Sequence, residues 1–82
     1  MDENRIALLG IIIKDGNAVE RVNALLHDFA PYVVGRMGIP YQKKDVNVIS
    51  IVLDAPTTAI NSLTGKIGMV KGVSAKALYS NK

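Results

Sequence analysis

The feature that most constrains this chain is a pair of strand-like runs that are apolar on both faces. One is Ile6-Ala7-Leu8-Leu9-Gly10-Ile11-Ile12-Ile13, and the other is Val46-Asn47-Val48-Ile49-Ser50-Ile51-Val52-Leu53. Successive side chains of a strand point to opposite sides, so a sheet with helices on one face and water on the other alternates apolar and polar residues. These runs do not alternate. Ile11, Ile13, Ile49, Ile51 and Leu53 need cover, and so do Ile6, Leu8, Ile12, Val48 and Val52. A chain of 82 residues buries only about 60–65% of its unfolded surface. It is too short to cover both sides, which predicts that a second copy or another partner covers one of them.

The scale of that burial is large for so small a domain. Covering ~300–400 Å² of extra apolar sheet per subunit is worth about 7–10 kcal/mol before association costs. That is comparable with the whole stability of an isolated domain. The chain reads as one domain over residues 1–82, with its core at about 5–80. It has no cysteine, hence no disulfides and no thiolate ligands. Asp2 and Glu3 stand where a secretory leader carries positive charge, and the run from Ile6 to Ile13 is short and broken by Gly10. No apolar run approaches the ~20 residues of a membrane span. A cytoplasmic protein is the simplest expectation.

The net charge of +3 is unevenly spread, −1 over residues 1–41 and +4 over residues 42–82. A basic half favours phosphates or nucleic acid. Only Lys43 and Lys44 are adjacent, however. Spaced lysines that keep an apolar domain soluble and guard its strand edges are the expected role.

Along the chain, residues 5–13 read as a strand that ends at the turn Asp15-Gly16-Asn17. A helix follows, with Asn17 as its cap and Glu20 completing a capping box. Val19, Val22, Leu26 and Phe29, with Leu25 beside them, form its apolar stripe, and Pro31 ends it. Residues 32–39 read as a second strand weakened by Gly35 and Gly38, and a turn or kink is expected at residues 38–41. Residues 46–53 are the third and clearest strand. Pro56 opens a second helix whose buried stripe is Ile60, Leu63 and Ile67, and Gly68 is the expected C-cap. Residues 73–79 are a fourth, weaker strand. The order βαββαβ predicts an α+β, ferredoxin-like open-faced sandwich, with a four-stranded antiparallel sheet and two helices on one face. Right-handed crossovers place strands one and three in the middle, and these are the two runs that are apolar on both sides.

The stretch Val33-Val34-Gly35-Arg36-Met37-Gly38-Ile39-Pro40-Tyr41 resembles the iron-only hydrogenase system regulator family. So do Ala18-Val19-Glu20-Arg21-Val22-Asn23, Ile49-Ser50-Ile51-Val52-Leu53-Asp54, Leu63-Thr64-Gly65-Lys66-Ile67-Gly68 and Gly72-Val73-Ser74, at matching places and spacing. The resemblance covers roughly residues 5–80. It implies an ACT-like fold, similar to the C-terminal sensing domain of nickel-responsive repressors, and a dimer or a dimer of dimers. The chain departs from those repressors in having a single histidine, His27, and no cysteine. A four-coordinate nitrogen–sulfur metal site is therefore unavailable within one subunit. It also lacks the DNA-reading segment that precedes such sensing domains, so regulation of transcription implies a partner.

Each candidate site has a functional and a structural reading. Arg36 lies between Gly35 and Gly38, which let a ligand or another backbone approach. Its guanidinium either holds a carboxylate or phosphate, or is an edge-strand arginine that is solvated or paired across an interface. Asp15, Gly16 and Asn17 either meet a small ligand at a subunit boundary or simply form a turn and cap. With Tyr41 these residues make up the expected ligand-binding set. Thr64-Gly65-Lys66 lacks the upstream glycine of a phosphate loop and ends a helix instead of starting one. His27 reads as a boundary residue. Tyr32, Tyr41 and Tyr79 are not spaced as a base-stacking set, and no nucleophile–base set or carboxylate pair emerges for catalysis. Ile11, Ile13, Ile49, Ile51, Leu53 and Met37 are assigned to the interface between copies, although the sequence leaves open which sheet face meets the helices.

The expected protein is thus a non-enzymatic, oligomeric regulatory module without a cofactor or a bound metal. It takes a small anionic metabolite near Arg36 and the loop after strand one. A ligand-free adaptor that binds a protein partner through its apolar sheet is the alternative, and nucleic-acid binding through the C-terminal lysines is a third.

Overall fold

Alternating burial along the strands defines the architecture. A computed structural model describes residues 3–80, so the charges of Asp2 and Lys82 lie outside the described residues. Strand β1 (Asn4–Ile13) buries every second side chain, from Ala7 through Leu9 and Ile11 to Ile13. Strand β3 (Val46–Pro56) does the same at Ile49, Ile51, Leu53 and Ala55. Strands β2 (Val33–Tyr41) and β4 (Val73–Tyr79) complete one antiparallel sheet in the order β2-β3-β1-β4. The two doubly apolar runs occupy its centre, as the crossover rule requires.

Helices α1 (Val19–Asp28) and α2 (Thr57–Gly68) both pack on one face of this sheet. Val22, Leu25 and Leu26 from α1 and Ile60, Leu63 and Ile67 from α2 close over the buried positions of β1 and β3 in a single core. This settles which face the helices take, and it corrects the interface assignment. Ile11, Ile13, Ile51 and Leu53 are at most 1% exposed and Ile49 is 5% exposed within one copy. Both helical stripes meet them, so these five residues form the core and are unavailable to a second subunit. Met37 lies on the opposite face and is exposed.

Four local details differ from expectation. A short 3-10 turn at Gly16–Ala18 precedes α1, and the Asp15 side chain accepts a hydrogen bond from the Asn17 backbone N–H (3.0 Å). Asp15, not Asn17, therefore makes the capping contact, because the extra turn moves the start of the helix downstream. Strand β2 does not kink at residues 38–41 but runs through Pro40 to Tyr41. It is an edge strand, where a residue without a donor is tolerated. At the other end of the chain, Pro56 forms the N-cap of α2, one residue ahead of its expected helical position. That helix runs through Gly68, with Met69 as its C-cap residue. The left-handed glycine is Gly72, at φ +80°. It lies in the loop before β4, where its carbonyl accepts from the Lys14 N–H (2.8 Å). A Cβ at Gly72 would stand 2.7 Å from the Cβ of Asp15. Only glycine fits both the conformation and the contact.

Candidate functional site

Two surfaces of the fold are unusual. The first is the sheet face that no helix covers. Directly opposed residues of antiparallel strands project to the same side. The register pairs Ile6 with Asp54, Leu8 with Val52, and Ile12 with Val48, while Met37, Ile39 and Tyr41 of β2 pair with Ser50, Val48 and Val46. On the far side Leu78 pairs with Leu8 and Lys76 with Gly10. Ile6, Leu8, Ile12, Val52, Met37, Ile39 and Leu78 are all exposed here, from 36% at Val52 to 70% at Leu78. Gly10 sits in the middle of this face. On either side of it lie two apolar dents of about 380 and 340 Å³, the first between Ile12, Val48 and Ser74 and the second between Leu8, Ser50 and Leu78. Loss of the side chain at position 10 creates the relief.

The second surface is a cleft between α1 and β2. The helices leave β2 uncovered, so its helix-side residues Val33, Arg36 and Gly38, opposite Leu53, Ile51 and Ile49, flank an open groove. A cavity of about 380 Å³ is lined there by Asn23, Leu26, His27, Ala30, Val33, Arg36 and Ile51. Arg36 Nη2 donates to Asn23 Oδ1 (3.1 Å), tying the edge strand to α1. A second hollow of about 180 Å³ lies on the other side of Arg36, towards Ile13, Val19 and Gly38. Among the described residues no carboxylate lines either hollow.

The expected ligand-binding set is dispersed by the fold. Arg36 and Gly38 share the smaller hollow, whereas Asp15, Gly16 and Asn17 line neither space beside Arg36. Asp15 is committed to its capping bond and packs against Gly72. Gly35 and Tyr41 pair with Val52 and Val46, on the helix-free face. Asn23, which bonds Arg36, and His27, which lines the same cavity, were missed. They stand four apart, on one side of a helix, but the strand that runs past that side is set by tertiary structure. Thr64-Gly65-Lys66 is structural. The Thr64 hydroxyl donates to the Ile60 carbonyl (2.7 Å), and Lys66 Nζ lies 5.6 Å from the centre of the Phe29 ring. The Tyr79 hydroxyl donates to Asn61 Oδ1, fastening β4 to α2. Among the described residues no three His, Cys, Asp or Glu side chains gather to hold a metal ion, and no helix is long and apolar enough to cross a membrane.

Comparison with known proteins places this geometry. The TM1266-like family, described as "Iron-only hydrogenase system regulator, putative", matches residues 5–77. The chain belongs to the TM1266-like family. The uncharacterized protein TM1266 from Thermotoga maritima has the same fold, with a TM-score of 0.90. It is 32% identical, and the match covers 94% of this chain and 98% of that one. No curated protein matches in sequence. The resemblance of the Gly-Arg-Met-Gly segment to this family therefore holds over almost the whole chain. The TM1266-like description names regulation of a hydrogenase system and specifies no reaction.

Proposed function

We propose that this chain is a non-catalytic, cytoplasmic regulatory module that works by assembly, with two copies meeting through the helix-free face of the sheet. A small anionic ligand biases that assembly, and the assembled module reaches its target through a protein partner. The observation that carries the reading is the apolar helix-free face around Gly10. Four strands at ~4.8 Å spacing and about seven residues at ~3.3 Å rise give a face of roughly 450 Å² in projection. Two such faces in contact bury on the order of 1,000 Å² once side-chain relief is counted, the size at which specific interfaces begin. The two dents flanking Gly10 suit the protruding Leu and Ile side chains of an identical face. Family membership supports regulation as the role, and the lysines among the described residues, dispersed over turns, α2 and β4, do not form one basic stripe.

Sedimentation over a wide range of concentration tests the proposal. A dimer or dimer of dimers that dissociates when Ile12 is changed to Lys is the expected result. A well-folded monomer at every concentration overturns the self-assembly and leaves the face to a different protein, which is the adaptor alternative.

A further inference from the structure

We infer that the cleft between α1 and β2 binds a small organic monocarboxylate with an apolar body. Arg36, Asn23 and His27 hold the carboxylate, and Val33 and Ala30 receive the body. The inference rests on the ligand-sensing half of the proposed function and gives it a place and a chemistry.

Arg36 carries five N–H donors in a fixed fork, and its bond to Asn23 engages one nitrogen. That bond sets the position of the guanidinium and orients the Asn23 amide, whose NH₂ remains a donor. His27 lies one helical turn further along α1 and lines the same cavity. Three donor-bearing side chains of different kinds thus line a hollow that no carboxylate among the described residues borders. An arginine fork matches the geometry of a carboxylate, and such charge-assisted pairs are the strongest of protein hydrogen bonds.

The rest of the cavity selects among anions. Leu26 and Ile51 lie buried beneath the cavity, and the half-buried Val33 and the exposed Ala30 supply its open apolar floor. Phosphate would leave that floor wet. Of these donors, His27 stands in the last turn of α1. The negative end of the helix dipole there disfavours a dianion more than a single charge. A volume of about 380 Å³ holds a branched acid of modest size and falls within the range of small-molecule sites.

The test is a titration of the ¹⁵N-labelled full chain with 4-methylpentanoate, its neutral amide 4-methylpentanamide and inorganic phosphate, with sedimentation of the same samples. Saturable shifts at Asn23, Leu26, His27 and Arg36 are expected with the acid. Binding should be about tenfold or more weaker for the amide and for phosphate, and Arg36→Gln should weaken the acid by roughly tenfold or more at an unchanged melting temperature. Ala30→Glu, which sets an internal carboxylate at the exposed rim, should compete with the acid in the same way. No saturable shift, equal affinity for the amide or phosphate, or indifference to Arg36→Gln overturns the site. Binding at the cleft with no change in assembly upholds the site while removing its link to the self-assembly reading. A change in assembly with no shift at the cleft removes the site.

Discussion

The two faces of this sheet are built from the same two strands and nearly the same side chains, yet they have opposite fates. Leu9 and Ile11 are sealed under the helices, while their chain neighbours Leu8 and Ile12 are each 43% exposed. Hydrophobicity alone therefore does not decide what is core here. The register does. A one-residue slip of β1 would exchange the two sets and leave a face of similar greasiness under the helices. Gly10 and its cross-strand neighbours Ser50 and Lys76 break that equivalence. They fall on the helix-free face and leave Ala7, Leu9, Ile11, Ile13, Ile49, Ile51, Leu53 and Ala55 as an unbroken apolar set under the helices.

The sharpest way to break this comparison is to truncate the two faces in turn. Ile51→Ala on the closed face should cost about 2–5 kcal/mol, because it removes a fully buried branched side chain from a packed core. Leu8→Ala on the other face should cost the dilute monomer about 1 kcal/mol or less. Chemical denaturation at low protein concentration measures both, and equal losses would mean that both faces are covered within one copy. The next largest effect concerns association. Ile12→Lys should leave the folded spectrum intact and weaken the proposed dimer by about a hundredfold, through a charge buried in an apolar contact. Sedimentation reads that change, and a tight dimer surviving the substitution would move the interface elsewhere.

How much of this was legible beforehand follows the same division. Strand order and the central placement of β1 and β3 were readable, because topology and doubly apolar patterning agree. The helical stripes were readable from their spacing: Val22, Leu25, Leu26, Ile60, Leu63 and Ile67 are buried, and Val19 and Phe29 are half-buried against the core. The face that meets the helices was not read from Ile11 and Ile12, which do not differ in kind, although Gly10 and Ser50 fall in the set that stays open. Assigning Ile11, Ile13, Ile49, Ile51 and Leu53 to an interface took the set that the helices bury. Of the candidate site, Arg36 stood out through its glycine neighbours, whereas Asn23 and His27 did not. Their role depends on how β2 passes α1, a matter of tertiary placement that no spacing within one helix encodes. The dispersal of Asp15, Tyr41 and Arg36 has the same origin, because strand pleating sends Arg36 and Tyr41 to opposite faces.

Smaller effects sharpen the contrast at the rim of the closed face, where loops and long side chains complete what the helices begin. Gly72→Ala should cost about 1–3 kcal/mol, since it forces a side chain into a left-handed backbone and against Asp15. The loss should appear as a lower melting temperature with no change in association, and a neutral result would show that the α2–β4 loop moves aside freely. The smallest change is at Lys66, whose ammonium lies over Phe29, a half-buried residue packed against the core. Lys66→Met keeps the apolar stem that shields the ring but removes the charge. The expected loss is about 0.5–1 kcal/mol, the worth of an exposed cation–π contact, with a small further part from the dipole at the end of α2. A loss above that range would mean that Lys66 acts chiefly through charge and that α1 is clamped electrostatically at its C-terminus. No loss would mean that the stem alone covers Phe29, and that the closed face is sealed at its rim by hydrocarbon just as it is at its centre.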